Sequence, residues 1–247
     1  MSSQHKRVVA ILPARWGSTR FPGKPLHIIA GKPLIQHVWE RVQRARSVDD
    51  VIIATDDMRI AEAAFAFGAE VSLTSPKHRS GTDRIAEVAK NIGSLTHVIN
   101  VQGDEPLIDP KLIDKLASML VHEKLQMITA ANSFAADDPV DNPNAVKVVL
   151  DRDSNALYFS RSPIPFARDG KSRASWYRHQ GIYGYSASFL QQFVKWKPTA
   201  LEQTEQLEQL RALEHGAKIR VLITKHASIG VDSPQDVQFV SKLLNTR

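Results

Sequence analysis

The sequence predicts an α/β fold: a mostly parallel, twisted sheet with helices on both faces, carrying a smaller antiparallel lobe. Two observations lead there. In the first 140 or so residues, short apolar β-branched runs alternate with helical stretches. Beyond them, strand-like segments follow one another closely, two of them meeting at a tight polar turn.

Residues 8–13, 51–55 and 97–101 are rich in Val and Ile and lack the polar alternation of a half-solvated strand, so each reads as a strand buried on both faces. Helices are expected over 33–45, 59–67, 82–92 and 110–122. Pro33 and Pro110 suit a first helical turn, Asp57 and Asp109 can cap, and Gly68 and Gly93 can close helices in the left-handed conformation. Such alternation implies right-handed crossovers, with ligands at the carboxyl ends of the strands.

Strands are then expected over 144–150 and 156–160, about a turn at 151–155. The stretch 163–175, rich in Pro, Arg and Ser, reads as loop, 180–185 as a strand and 188–196 as a helix. Thr199 and Glu202 form a capping box opening a helix that runs to Gly216. A strand over 218–224 follows, and Ser233 with Pro234 starts the last helix. No flexible linker divides the chain, so residues 1–247 are expected to form one domain. Its core comprises about 1–140 and 217–247, with an embedded lobe over about 141–216.

Composition narrows the function classes. With no cysteine among 247 residues, disulfides, thiolate metal sites and a cysteine nucleophile are excluded. The apolar run 8–12, ended by Pro13, is too short for a signal-peptide core, and no segment approaches a membrane span. A cytoplasmic protein without a membrane partner is expected. The net charge of +6 suits either a nucleic acid or a small polyanion. Lys and Arg are scattered except for one tight group, at 15–24, which favours a small polyanionic substrate and no nucleic-acid partner. The nine histidines show no metal-ligand spacing, and no Gly-x-Ser-x-Gly elbow occurs.

The loop after the first strand brings Arg15, Arg20 and Lys24 together with Gly17, Ser18 and Gly23. Glycine lets backbone amides approach a phosphate, and the cations neutralise its charge. Five residues separate Gly17 from Gly23, and Pro25 stands where a Walker A loop has its magnesium-binding hydroxyl, so this is not a P-loop. The same residues would also serve as a basic surface turn stiffened by Pro22 and Pro25.

From Pro13 the string Pro-Ala-Arg-x-x-Ser-Thr-Arg-x-Pro-Gly-Lys-Pro-Leu resembles the signature of sugar-nucleotidyltransferases, and closely the version found in 3-deoxy-manno-octulosonate (Kdo) cytidylyltransferases. The resemblance implies that Arg15 and Lys24 contact a triphosphate, with Ser18 and Thr19 beside it and Pro13 and Ala14 in the same nucleotide site. Residues 78–84, which by themselves read as a helix start capped by Ser80 or Thr82, resemble the family's His-x-Ser-Gly-Thr-Glu/Asp-Arg motif. That implies Arg79, Ser80, Gly81 and Thr82 around cytosine and ribose. Asp83 stands where many members have glutamate.

Gln102-Gly-Asp-Glu-Pro ends the third strand, where a carboxylate is well placed to hold magnesium against a phosphate. An isolated Gly-Asp pair would read as a strand-end turn, but the whole string is similar to the family motif whose aspartate binds magnesium. Asp104 is therefore the first expected ligand, with Gln102 against the sugar. Residues 230–236 resemble the family's Gly-Val-Asp-Thr-Pro-Glu-Asp element, which makes Asp232 the second ligand and predicts that Asp104 and Asp232 meet in space. Asp236 belongs to the helix start.

Segments at 142–149, 156–165, 178–185 and 201–211 resemble the family's sugar-binding lobe and imply His179, Tyr183, Glu208 and Gln209 as sugar contacts, with Arg161 a further candidate. Read without the resemblance, Leu207, Leu210 and Leu213 form an apolar seam that leaves Glu208 and Gln209 on a solvated face, with Glu208 free to pair with Arg211. His179 and Tyr183 would be core residues of a strand. Tyr158, Phe159 and Trp196 read as core or dimer packing.

The activity implied is transfer of CMP from CTP to the anomeric hydroxyl of Kdo, releasing pyrophosphate, for lipopolysaccharide biosynthesis. The resemblance further implies a homodimer, a nucleotide-binding core and a sugar-binding, dimerising lobe. Direct displacement assisted by two Mg2+ ions is expected, with Arg15, Lys24, Asp104 and Asp232 as catalytic groups. A related acidic sugar (8-amino-Kdo or a sialic acid) is the alternative substrate, and a basic nucleic-acid-binding module the alternative class.

Overall fold

The computed structural model describes residues 6–17, 21–135, 138–168, 176–227, 229–231 and 233–245. The core is organised around β1 (Arg7–Ala14), whose Val9 to Leu12 are wholly buried. Because side chains alternate along a strand, Val8, Ala10, Leu12 and Ala14 enter one hydrophobic layer and Val9 and Ile11 the other. A short 3-10 turn (Lys24–Leu26) and a small hairpin of β2 (Ile28–Ile29) and β3 (Lys32–Pro33) follow. Then come α1 (Leu34–Val42), β4 (Asp50–Thr55), α2 (Met58–Ala66), β5 (Glu70–Leu73), α3 (Gly81–Asn91) and β6 (Leu95–Asn100). The chain continues through α4 (Pro110–His122), β7 (Met127–Ser133), β8 (Lys147–Leu150), β9 (Ala156–Ser160) and β10 (Tyr177–Ser186). It ends with α5 (Ala187–Phe193), α6 (Ala200–Glu205), α7 (Gln209–Glu214), β11 (Ile219–Thr224) and α8 (Pro234–Asn245).

The main sheet runs β11-β7-β10-β6-β1-β4-β5. β1 lies parallel to both β4 and β6, β4 to β5, and β7 to β11. β10 is inserted antiparallel between β6 and β7, with Tyr183 opposite both Asn100 and Thr129. Its first residues also pair with β8, which pairs with β9, so one long strand is shared by the main sheet and the antiparallel lobe. Helices α1, α2 and α4 cover one face, while α3, α5 and α7 cover the other. This is the mixed, mostly parallel architecture expected from the sequence, with its carboxyl edge open for a ligand.

Local chemistry explains most boundaries. Asp57 and Asp109 cap α2 and α4, each accepting an amide hydrogen bond at 3.0 Å, and Ser80 caps α3 by accepting from Asp83 N–H at 3.1 Å. The Thr199–Glu202 capping box is present, and Gly68 adopts φ 86°.

Three local expectations are corrected. Pro33 precedes the first turn of α1, because its ψ of 144° keeps it in the hairpin. Beyond α3 the left-handed residue is Ser94 (φ 60°) rather than Gly93, since Ile92 has already left the helix in an extended conformation. The helix opened by Thr199 does not reach Gly216. It breaks at Gln206 (φ 52°) and restarts as α7, a turn that buries Leu207 and Leu210 and brings Arg211 back onto Glu202.

β5 and β7 were not anticipated. β5 is a short edge strand with both end residues exposed, and Ala130, Ala131 and Asn132 give β7 low strand propensity although nearly all of it is buried.

Phe159 of β9 is wholly buried, with its ring centroid 5.0 Å from that of His179 on β10. Phe159→Ala is expected to lower the unfolding free energy by about 3–5 kcal/mol, the usual consequence of an unfilled aromatic site. Urea unfolding monitored by circular dichroism measures it, and a loss below about 1 kcal/mol would mean that the lobe does not pack on this ring.

Candidate active site

The carboxyl ends of β1 and β6 and the start of α3 converge on Pro13. A Cβ at Gly103 would lie 3.1 Å from the Pro13 carbonyl oxygen, and one at Gly81 would lie 3.2 Å from Pro13 Cγ. Absence of a side chain at both positions lets the loop after β6 and the first turn of α3 close on the end of β1. Ala14 is buried there, Pro13 is half-buried, and Arg15 is exposed at the lip. Ser18, Thr19 and Asp232 lie outside the described residues.

Lys24, on the 3-10 turn, reaches across to Asp104. Its Nζ lies 2.6 Å from Oδ2, in an ion pair whose side chains are 15% and 31% exposed. The pair joins the basic loop to the strand-end carboxylate, as the two motifs require if they serve one site. Behind it, the Asp104 carbonyl accepts a hydrogen bond from Val231 N–H at 2.9 Å, which fastens the segment leading to Asp232 onto the Asp104 loop.

Among the described residues no three His, Asp or Glu side chains converge as a metal site. Magnesium commonly binds through one or two carboxylates plus substrate phosphates, keeping several waters. Asp104, whose oxygen already holds a cation in the form of the Lys24 ammonium, fits a metal that arrives with a nucleotide.

The other half of the site is built on β10 and α7 and meets the first at α3. Thr82 is buried, and its hydroxyl donates to Oε2 of Glu208, at the N-cap position of α7. Burial pushes the Glu208 carboxyl above its ordinary pKa, while hydrogen bonds from Thr82 and Ser80 and the charge of Arg211, 3.7 Å away, pull the other way. Arg211 is itself buried and bound to Glu202, Nε to Oε2 at 2.8 Å. Glu208 is therefore not on a solvated helix face. Its Oε1, like Nε2 of the buried Gln209, has no hydrogen-bond partner among the described residues, leaving an acceptor and a donor for a ligand to meet. Arg79 is exposed at the rim. Arg79, Ser80, Asp83, Trp196, Glu208 and Arg211 help to line a hollow of about 530 Å³.

His179 and Tyr183 stand two turns of the pleat apart on β10, with ring centroids 5.4 Å apart. His179 Nε2 lies 2.9 Å from the Thr129 hydroxyl, which donates to the Ile182 carbonyl at 2.7 Å, so the ring donates to Thr129. Close packing pushes the imidazole pKa down to about 3, and burial with the nearby Glu208 charge raises that of the Tyr183 phenol. Both are neutral hydrogen-bonding groups at physiological pH. Gln102, whose Cγ would lie 3.6 Å from a Cβ on Gly181, faces the same strand. Arg161 is engaged elsewhere: its Nε donates to the Glu205 carbonyl at 2.7 Å and its Nη1 to that of Pro143 at 2.9 Å, a clasp within the lobe.

Sequence reasoning missed Thr129, which orients His179, because β7 carried no strand signal. It also treated Arg211 only as a neighbour of Glu208, whereas the closer partner is Glu202. That pairing depends on the break at Gln206.

The cytidylyltransferase family model matches residues 9–219. The 3-deoxy-manno-octulosonate cytidylyltransferase of Geobacter sulfurreducens is 50% identical over 248 residues, spanning 96% of this chain and 99% of its own. The protein of the same name from Thermodesulfovibrio yellowstonii is 47% identical over 250 residues, spanning 96% and 98%. A solved structure of CMP:2-keto-3-deoxy-manno-octonic acid synthetase complexed with CTP is similar at a TM-score of 0.92 and 40% identity, covering 98% of this chain and 99% of that one. A cytidylyltransferase from Leptospira borgpetersenii, at a TM-score of 0.68 and 16% identity, covers 98% of this chain and 88% of its own and shares the fold.

The raised pKa of Glu208 has a consequence for stability. A carboxyl that binds its proton more firmly when folded favours folding at low pH, and its ionisation costs stability as pH rises through the native value. Glu208→Gln removes that ionisation. Its melting temperature relative to the unsubstituted protein is expected to be higher at about pH 8 than at about pH 5. Thermal melts at both pH values test this, and a difference independent of pH would refute it.

Proposed function

The chain belongs to the cytidylyltransferase family, and from that premise we propose that it transfers CMP from CTP to the anomeric hydroxyl of 3-deoxy-manno-octulosonate, releasing pyrophosphate. The observation that carries the reading is the Lys24–Asp104 pair at 2.6 Å. It joins a cationic loop to a strand-end carboxylate beside the neutral, hydroxyl-seeking surface of β10 and α7.

The difficulty of the reaction is electrostatic, since an anionic sugar must approach a triphosphate. Phosphoryl transfer of this kind is promoted mainly by alignment and by neutralising charge on oxygens. Arg15 and Lys24 meet the phosphates and the departing pyrophosphate, with Pro13, Ala14, Ser18 and Thr19 completing the loop. Arg79, Ser80, Gly81 and Thr82 hold cytosine and ribose at the positive end of α3. Gln102, His179, Tyr183, Glu208 and Gln209 orient the sugar so that its anomeric oxygen faces the α-phosphorus. The new bond forms there as the bond to the bridging oxygen of pyrophosphate breaks, and the hydroxyl proton leaves to solvent. Asp104 and Asp232 would hold magnesium, two ions in our reading, which neutralises phosphate charge and acidifies the sugar hydroxyl when bound.

The product, CMP-Kdo, supplies an activated acidic sugar for lipopolysaccharide biosynthesis. We assign the protein to the cytoplasm, where CTP is available, and note that no helix among the described residues is long and apolar enough to cross a membrane. A homodimer joined through the lobe is supported by the exposure of Leu157 and Phe166. Family membership does not favour the nucleic-acid-binding reading of the positive charge.

Pyrophosphate release measured across four nucleoside triphosphates and several acidic sugars tests the assignment; CTP with Kdo is expected to be preferred. Lys24→Ala is expected to lower kcat/KM by about 2–4 kcal/mol of transition-state stabilisation, the range for one preorganised donor. Asp104→Asn is expected to remove most turnover and leave the melting temperature nearly unchanged, and chelation of divalent cations to do the same reversibly. Full activity of Asp104→Asn would overturn the metal assignment.

A further inference from the structure

The basic loop is held from outside by α2. Gly23 N–H donates to the Trp16 carbonyl at 3.1 Å, tying the two ends of the loop together. Gly23 has φ 69°, and a Cβ there would stand 3.0 Å from Cη2 of the Trp16 indole, so the ring lies directly against the loop backbone. Over the same indole lies the Arg59 guanidinium, its carbon 3.4 Å from the ring centroid.

Arg59 is in turn fixed by Asp57. Nε and Nη2 reach the two carboxylate oxygens at 2.9 and 2.6 Å, and the Arg59 amide donates to Oδ1 at 3.0 Å. The Arg59 hydrogen bond holds the Asp57 carboxyl below its usual pKa, so the carboxylate stays ionised against the guanidinium. Asp57 N–H donates to the Thr55 hydroxyl at 3.2 Å, and Thr55 ends β4 opposite Ala14 of β1. A continuous chain of contacts therefore runs from the edge of the sheet through Asp57, Arg59 and Trp16 to the turn that carries Lys24.

We propose that Arg59 is a positioning residue for the nucleotide: stacked on Trp16, it holds Trp16 against Gly23 and so sets Arg15 and Lys24, the neighbours of those two residues, toward the triphosphate. The inference rests on the reading that this loop receives CTP. The planar fork suits the task, because it can pair with a carboxylate through its edge and stack on an aromatic ring through its face at once. Lysine can do neither in the same way.

Steady-state kinetics of Arg59→Ala, Trp16→Leu, the double variant and Arg59→Lys test it, with CTP and Kdo varied separately and melting temperatures recorded. Each single variant is expected to raise the KM for CTP about two- to fivefold and leave that for Kdo unchanged, the scale of one exposed cation–π contact. Because both act through one stack, the double variant is expected to be no worse than the poorer single one, within about twofold. Arg59→Lys is expected to recover only part of the loss. Independent multiplication of the two effects would show that Arg59 meets the nucleotide itself and would overturn the inference. Equal increases in both KM values, or native kinetics in Arg59→Ala, would overturn it as well. If the unsubstituted protein releases no pyrophosphate from CTP with any acidic sugar, the functional reading fails and the inference with it. Native activity together with an unaffected Arg59→Ala removes the inference alone.

Discussion

The closeness of three chain segments around Pro13 is the constraint on which the site depends. Gly81 and Gly103 lie where even one methyl group would press on the end of β1. Were either loop held further off, the first turn of α3 and the Asp104 carboxylate would no longer open onto one cleft. Lys24 could not then reach Asp104 while its own loop remained tied to Trp16. The parallel sheet supplies the framework, since it delivers the ends of β1 and β6 side by side; the two glycines supply the final approach.

Around that point the site divides electrically. One half carries Arg15, Lys24 and the positive end of α3, and suits phosphate oxygens. The other half carries the neutral imidazole of His179 and the neutral phenol of Tyr183, and suits hydroxyl groups. Glu208 lies between them, bonded to Thr82 of the first half and packed near Tyr183 of the second. The Glu202–Arg211 pair stands behind it, with Arg211 3.7 Å from the half-buried Glu208 carboxyl. The Asp104 charge is balanced by Lys24, so no unpaired carboxylate stands at that position.

β10 ties these halves into one body. Its start pairs with β7 and β8, and its end with β6 and β7. The register shift between Gln180 and Tyr183 separates the two stretches and sets His179 and Tyr183 beside the carboxyl end of β6. An antiparallel strand placed deep in a parallel sheet thus carries His179 and Tyr183 to the edge where Lys24 meets Asp104.

Much of this was legible in the residues themselves. Pro110 after Asp109 marked the start of α4 at the residue where it begins, the Thr199–Glu202 box marked α6, and the apolar run of β9 had both its ends right. The string from Pro13 pointed to the cytidylyltransferase family to which the chain belongs. These signals are local: a cap, a buried run or a phosphate-binding turn needs only neighbours within a few residues. What the tertiary structure alone decided was long-range. The 80-residue span between Lys24 and Asp104 closes only when the sheet forms, Glu208 turns inward only because the chain breaks at Gln206, and Arg59 finds Trp16 only because β4 lies beside β1. Hydrogen bonds between near neighbours are written in sequence order, whereas contacts across the sheet depend on which buried surfaces pack together, and no run of adjacent residues encodes that.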